Sequence, residues 1–76
     1  MKEKVYKTRI KGYNVEVKTG VDYGDGQTTE GYISKGNMHG SIERASREGL
    51  YNGNEDRVIP DYIMHKIEDW AYSVGY

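Results

Sequence analysis

The 76-residue sequence has no cysteine and no phenylalanine, a single proline, and no apolar run approaching the length of a membrane span. Without cysteine there are no disulfides, thiolate zinc sites, iron–sulfur clusters or cysteine nucleophiles. Small secreted domains usually rely on disulfide staples, so the composition favours a reducing, cytoplasmic setting with no membrane association. Met1-Lys2-Glu3-Lys4 leads into an alternating segment, where a signal peptide would have an apolar stretch. The missing phenylalanine is equally informative. The aromatic set is eight Tyr and one Trp, so every ring carries a polar atom. Such rings suit places that are dry at one end and wet at the other, namely thin cores and binding faces.

The length points to one domain, residues 1–76. A chain this short buries only roughly 60–65 % of the surface its unfolded form exposes. The net charge is −1, unevenly spread. Residues 1–18 hold six cations (Lys2, Lys4, Lys7, Arg9, Lys11, Lys18) against Glu3 and Glu16, a net +4. Residues 48–69 hold six carboxylates (Glu48, Glu55, Asp56, Asp61, Glu68, Asp69) against Arg57 and Lys66, a net −4. Such halves can serve different partners or pair with each other.

Period-two alternation dominates residues 4–19. Tyr6, Thr8 and Ile10 alternate with Val5, Lys7 and Arg9; Tyr13, Val15 and Val17 alternate with Asn14, Glu16 and Lys18. Lys11-Gly12 between them reads as a two-residue hairpin loop. The implied register sets Ile10 opposite Tyr13, Thr8 opposite Val15 and Tyr6 opposite Val17, and gathers Lys7, Arg9, Asn14 and Glu16 on the other face. The odd-numbered alternation extends toward Val21 and Tyr23 until Asp22-Tyr23-Gly24-Asp25-Gly26 turns the chain. Residues 28–35 read as a third strand, with Gly31 a candidate bulge. Gly36-Asn37 closes it.

The period then changes. Met38, Ile42 and Ala45 share a helical spacing, with Asn37 or Ser41 as the cap and Gly49 as the stop. Leu50 to Asn54 read as a loop. Pro60 and Asp61 open a longer helix whose Ile63, Ile67, Trp70 and Val74 stripe recurs at steps of four, three and four. The expected fold is α+β: a three-stranded antiparallel meander, then a short helix and a longer C-terminal helix packed on one sheet face (β-β-β-α-α). Tyr6, Tyr13 and Tyr32 are expected as sheet rings over the core, and Tyr23 and Tyr51 in turns.

Catalytic and cofactor signatures are missing. The 22–27 loop lacks the ligand pattern of a calcium site, and Gly24, Gly26 and Gly31 match no dinucleotide fingerprint. His65 has Glu68 and Asp69 within one helical turn, but His39 is the only other histidine, so a metal site would lack ligands. No serine lies in a nucleophile elbow. The expectation is a non-enzymatic chain without cofactor or metal.

Two surfaces stand out. Tyr62, His65, Asp69, Tyr72 and Tyr76 form a second stripe on the last helix, and Tyr anchors with a polar rim are typical of protein-binding patches. Acidic Glu55 and Asp56 are expected to join it, and the same rings can equally flank the core. The alternative surface is the basic back of the hairpin. Lys7, Arg9 and Lys11, with Lys18 and Lys35 nearby, can track a phosphate backbone beside Tyr rings that stack bases. The same cations also serve as ordinary edge protection of a sheet.

The strand–strand–strand–helix order resembles double-stranded-RNA-binding domains in sheet topology. The last helix here begins Pro60-Asp61-Tyr62, acidic where that family is basic, so no residue role carries over. In size, mixed charge and lack of catalytic motifs the chain is similar to small phage-encoded inhibitors. That likeness implies an inhibitor or adaptor of a nucleic-acid-handling protein. The expected function is protein binding through Tyr62, His65, Asp69, Tyr72, Glu55 and Asp56, as a monomer or homodimer. The alternative is nucleic-acid binding through Lys7, Arg9, Lys11 and Lys18.

Overall fold

The computed structural model describes residues 3–76. It is α+β, running β1 (Lys4–Ile10), β2 (Tyr13–Asp22), β3 (Gln27–Lys35), β4 (Met38–Ser41), α1 (Ile42–Glu48), β5 (Leu50–Tyr51), β6 (Asp56–Arg57) and α2 (Asp61–Ser73). The strands form one six-stranded sheet in sequence order, every neighbouring pair antiparallel. The expected three-stranded meander is therefore the first half of a longer one.

The first hairpin has the register that alternation dictates, with Ile10↔Tyr13, Thr8↔Val15 and Tyr6↔Val17. Its loop residues Lys11 and Gly12 both take positive φ, +51° and +87°. Two positive values match the twist of the flanking strands. Between Lys18 and Val21 the β2–β3 register shifts, with Gly20 at φ +71°. One extra residue there reverses the parity. Val21 consequently pairs with Thr28, on the opposite face from Val15 and Val17, so the odd-numbered alternation does not continue through it. The bulge thus lies at Thr19-Gly20 and not at Gly31.

Gly31 has another role. It sits opposite Val17, and a β-carbon on it would come within 2.5 Å of Ile42 Cδ1 and 2.7 Å of Tyr76 Cε1. Only a bare backbone lets these side chains close over β3.

Met38–Ser41 is a strand, although Met38 and Ile42 stand at helical spacing. Gly36, at φ +60°, occupies the first position of a two-residue loop, which sets Lys35 opposite Met38 and Ser34 opposite His39. Helix α1 begins only at Ile42. Ser41 caps it by accepting the Arg44 N–H at 3.1 Å. Gly49 ends it, donating its N–H to Ala45 O. Leu50 and Tyr51 then leave the expected loop and pair with Arg57 and Asp56 as the last two strands.

One face of the sheet is dry. Val15, Val17, Ile33 and Leu50 are buried against Ile42 and Ala45 of α1, Ile59, and Ile63, Met64, Ile67 and Ala71 of α2. Each of the larger fully buried side chains contributes about 1.5–3 kcal/mol relative to exposure. Trp70, Val74, Tyr13 and Tyr76 close the rim, half-buried. No described helix is long and apolar enough to cross a membrane.

Candidate functional site

The helices cover one sheet face only, which leaves two surfaces on opposite sides of the molecule. The first is the outward side of α2. With Ile63, Met64, Ile67 and Ala71 facing the core, the 3.6-residue period turns Tyr62, His65, Asp69 and Tyr72 away from it. All four are exposed, Tyr62 at 63 % and Tyr72 at 62 %. These phenols are therefore not part of the core. The two lie ten residues apart, roughly 15 Å along the axis. Tyr76, placed by sequence in the same stripe, instead folds back toward β3. Its ring is half-buried, desolvation raises its pKa, and it meets Tyr72 at 5.9 Å between centroids.

Glu55 and Asp56 are exposed, but neighbouring arginines engage them. Asp56 accepts from Arg44 at 2.9 Å and Glu55 lies 3.6 Å from Arg57. Arg44 also donates to Glu48 at 2.8 Å and covers the Tyr51 ring at 4.6 Å. These carboxylates belong to the β5–β6 hairpin and its junction with α1. The acidity of the α2 surface comes from Asp61 and Asp69, both exposed, with half-buried Glu68 at its side.

The second surface is the uncovered sheet face. The register lines up Lys7, Glu16, Tyr32 and Ser41 in one row across four strands. The next row holds Arg9, Asn14, Ser34, His39, Tyr51 and Asp56. Within these rows the sheet forms a depression of about 530 Å³, bounded by Lys7, Asn14, Glu16, Tyr32, Ser34 and His39. Tyr32 stands on this open face, 43 % exposed, and is not a ring over the core. His39 meets the Tyr51 ring edge-on at 6.4 Å.

The charges on this face are partly spent. Lys18 lies 3.8 Å from Glu16. Tyr23 donates its hydroxyl to Glu30, which pushes its pKa up to about 12, and Tyr32 is raised by the same carboxylate. Lys7, Arg9 and Lys11 are exposed, with no carboxylate within 4.0 Å among the described residues. Lys35 does not join them. It lies on the helix side of the sheet, its ammonium 4.7 Å from the centre of the Tyr13 ring.

The 22–27 loop is a hairpin turn, in which the Asp22 carboxylate accepts the Gly24 N–H at 2.7 Å. Among the described residues no three of His, Asp and Glu converge as metal ligands.

Sequence reasoning found both surfaces but not the depression. That feature needs β4, which supplies His39 and Ser41, and β4 carries no recognisable strand period. Comparison of the chain with protein-family models, curated proteins and solved structures finds no match in any of the three.

Proposed function

We propose that this chain is a small non-enzymatic protein-binding module, an inhibitor or adaptor acting in the cytoplasm, that docks through the outward face of α2. The observation that carries this reading is the pair Tyr62 and Tyr72, both more than three-fifths exposed on the helix side opposite its buried residues. A large ring left in water contributes nothing to folding. In an interface each Tyr can bury 150–250 Å², roughly, and serve as an anchor. Between the two rings lie His65 and Asp69, a polar strip of the kind that rims such anchors. The helix carries Asp61, Glu68 and Asp69 against Lys66 alone, so its charge complements a basic site on a partner. A protein site that otherwise holds nucleic acid fits that description.

The test is affinity capture from nuclease-treated lysate with the wild-type chain and the Tyr62→Ala/Tyr72→Ala variant. The expected result is loss of the captured protein with an unchanged unfolding midpoint. An identical captured set with the double variant overturns the reading.

A further inference from the structure

The uncovered sheet face presents a different chemistry from α2, and its reading does not rest on the docking proposal. Three features coincide there. The cations are on one edge: Lys7 and Arg9 alternate along β1, the outermost strand, and Lys11 continues the series in the turn. Lys7 and Arg9 are two residues apart, about 6.8 Å along the strand. That step is close to the spacing of phosphates on an extended single strand. An exposed ring lies inward of them. Tyr32 is in the same row as Lys7, two strands away, roughly 10 Å at the usual strand separation. That distance suits a nucleotide whose phosphate is at the edge and whose base reaches the ring. Between and beyond lie Asn14, Ser34 and His39, which line the depression with side chains able to donate and accept hydrogen bonds.

The carboxylates that the register places on this face are Glu16, Glu30 and Asp56. Glu16 lies 3.8 Å from Lys18 and Asp56 is held by Arg44, whereas Glu30 accepts the Tyr23 hydroxyl and keeps its charge, two strands in from the cationic edge. Along the β1 edge itself, Lys7, Arg9 and Lys11 have no carboxylate within 4.0 Å among the described residues. A second copy of the chain is a poor occupant of this edge, because antiparallel pairing of β1 with itself would set lysine and arginine against lysine and arginine. A duplex is a poor occupant as well, since its base faces are closed to Tyr32.

We infer that this face binds single-stranded nucleic acid, with the phosphate backbone along Lys7, Arg9 and Lys11 and a base stacked on Tyr32. Tyr32 is exposed, so it can be changed without touching the core, and the phenylalanine variant separates ring from hydroxyl.

The experiment is fluorescence anisotropy with a labelled oligothymidine and with a duplex of the same length. Three neutralised phosphates give a slope of log affinity against log salt of about −2 for a single strand. Affinity then falls roughly 20-fold between about 50 and 200 mM salt. Tyr32→Ala weakens binding by about 10-fold or more, because one stacked base is lost. Tyr32→Phe retains it. Arg9→Gln/Lys11→Gln flattens the slope to about −0.7. No binding at low salt overturns the inference. Binding indifferent to Tyr32→Ala overturns it too, as does duplex bound as tightly as the single strand.

Discussion

A β-carbon on Gly49 would overlap the main-chain carbonyl of Arg57. Gly49 closes α1 at φ +90°, and β6 crosses directly over it. Alanine there meets two penalties, the left-handed backbone and a collision with main chain that no rotamer relieves. Gly53 offers the control, with φ +75° and open space around it. Gly53→Ala is expected to cost about 1 kcal/mol. Gly49→Ala should cost at least about 3 kcal/mol. That is a large part of the roughly 4–11 kcal/mol a chain this size holds. Urea unfolding of the two variants measures the difference; equal midpoints would mean β6 does not lie on Gly49 in solution.

Arg44 is the latch of the β5–β6 hairpin. Its guanidinium donates to Glu48 and Asp56 and covers the Tyr51 ring. The Glu48 carboxylate raises its pKa further, so the guanidinium stays charged at any ordinary pH. The contacts are exposed to solvent, and Arg44→Ala should leave the global unfolding midpoint nearly unchanged. The local effect is larger, because two-residue strands have little else to hold them. Amide exchange at Leu50, Tyr51, Asp56 and Arg57 should accelerate while β1 and β2 stay protected. Uniform acceleration would show that the hairpin has no separate opening. Arg44→Lys should not restore protection, since a lysine ammonium cannot reproduce the planar fork.

The same hairpin marks where sequence stops being informative. The first two strands and α2 declare themselves because each repeats its period over many residues and is bounded by Gly12, Pro60 or Gly75. Met38–Ser41 offers only four residues, one of them Gly40, and its Met38–Ile42 spacing imitates a helix. Leu50 and Tyr51 contain no period at all; they are strand residues because β4 presents an edge, and Leu50 is buried because the sheet extends that far. The basic row on β1 was legible as the complement of the apolar alternation. The placing of Tyr32 depended on which face of β3 turns outward, and the surrounding residues came from a strand not foreseen. The partial neutralisation of Asp56 by Arg44 joins residues twelve apart and has no local signature.

Tyr23 and Glu30 give a pH-dependent test. Tyr23 donates its hydroxyl to the Glu30 carboxylate, and its pKa rises from about 10 to about 12. A phenol whose pKa is raised on folding favours the folded state while protonated. Its contribution is complete below pH about 10 and lost as pH rises through about 12. Ultraviolet titration should show one phenol ionising last, a step removed by Tyr23→Phe. Glu30→Gln should bring both Tyr23 and Tyr32 back toward the ordinary value. A last-titrating phenol that survives Tyr23→Phe would refute the assignment.

Tyr72 and Tyr76 are neighbouring rings with opposite duties. Tyr76 is half-buried over Gly31, where its Cε1 leaves no room for a β-carbon. Tyr72 touches Tyr76 on the outside and is 62 % exposed. Tyr76→Ala should therefore cost about 2 kcal/mol, somewhat less than a fully buried ring. Tyr72→Ala should stay within about 0.5 kcal/mol. Gly31→Ala should destabilise as well, and removing the Tyr76 ring should recover part of that loss, although Ile42 still crowds the site. A double-mutant cycle on Gly31 and Tyr76 isolates their coupling. Should Tyr72→Ala prove as damaging as Tyr76→Ala, Tyr72 would belong to the cover of the core. The outward face of α2 would then keep a single anchor, Tyr62, too little for the docking surface proposed for it.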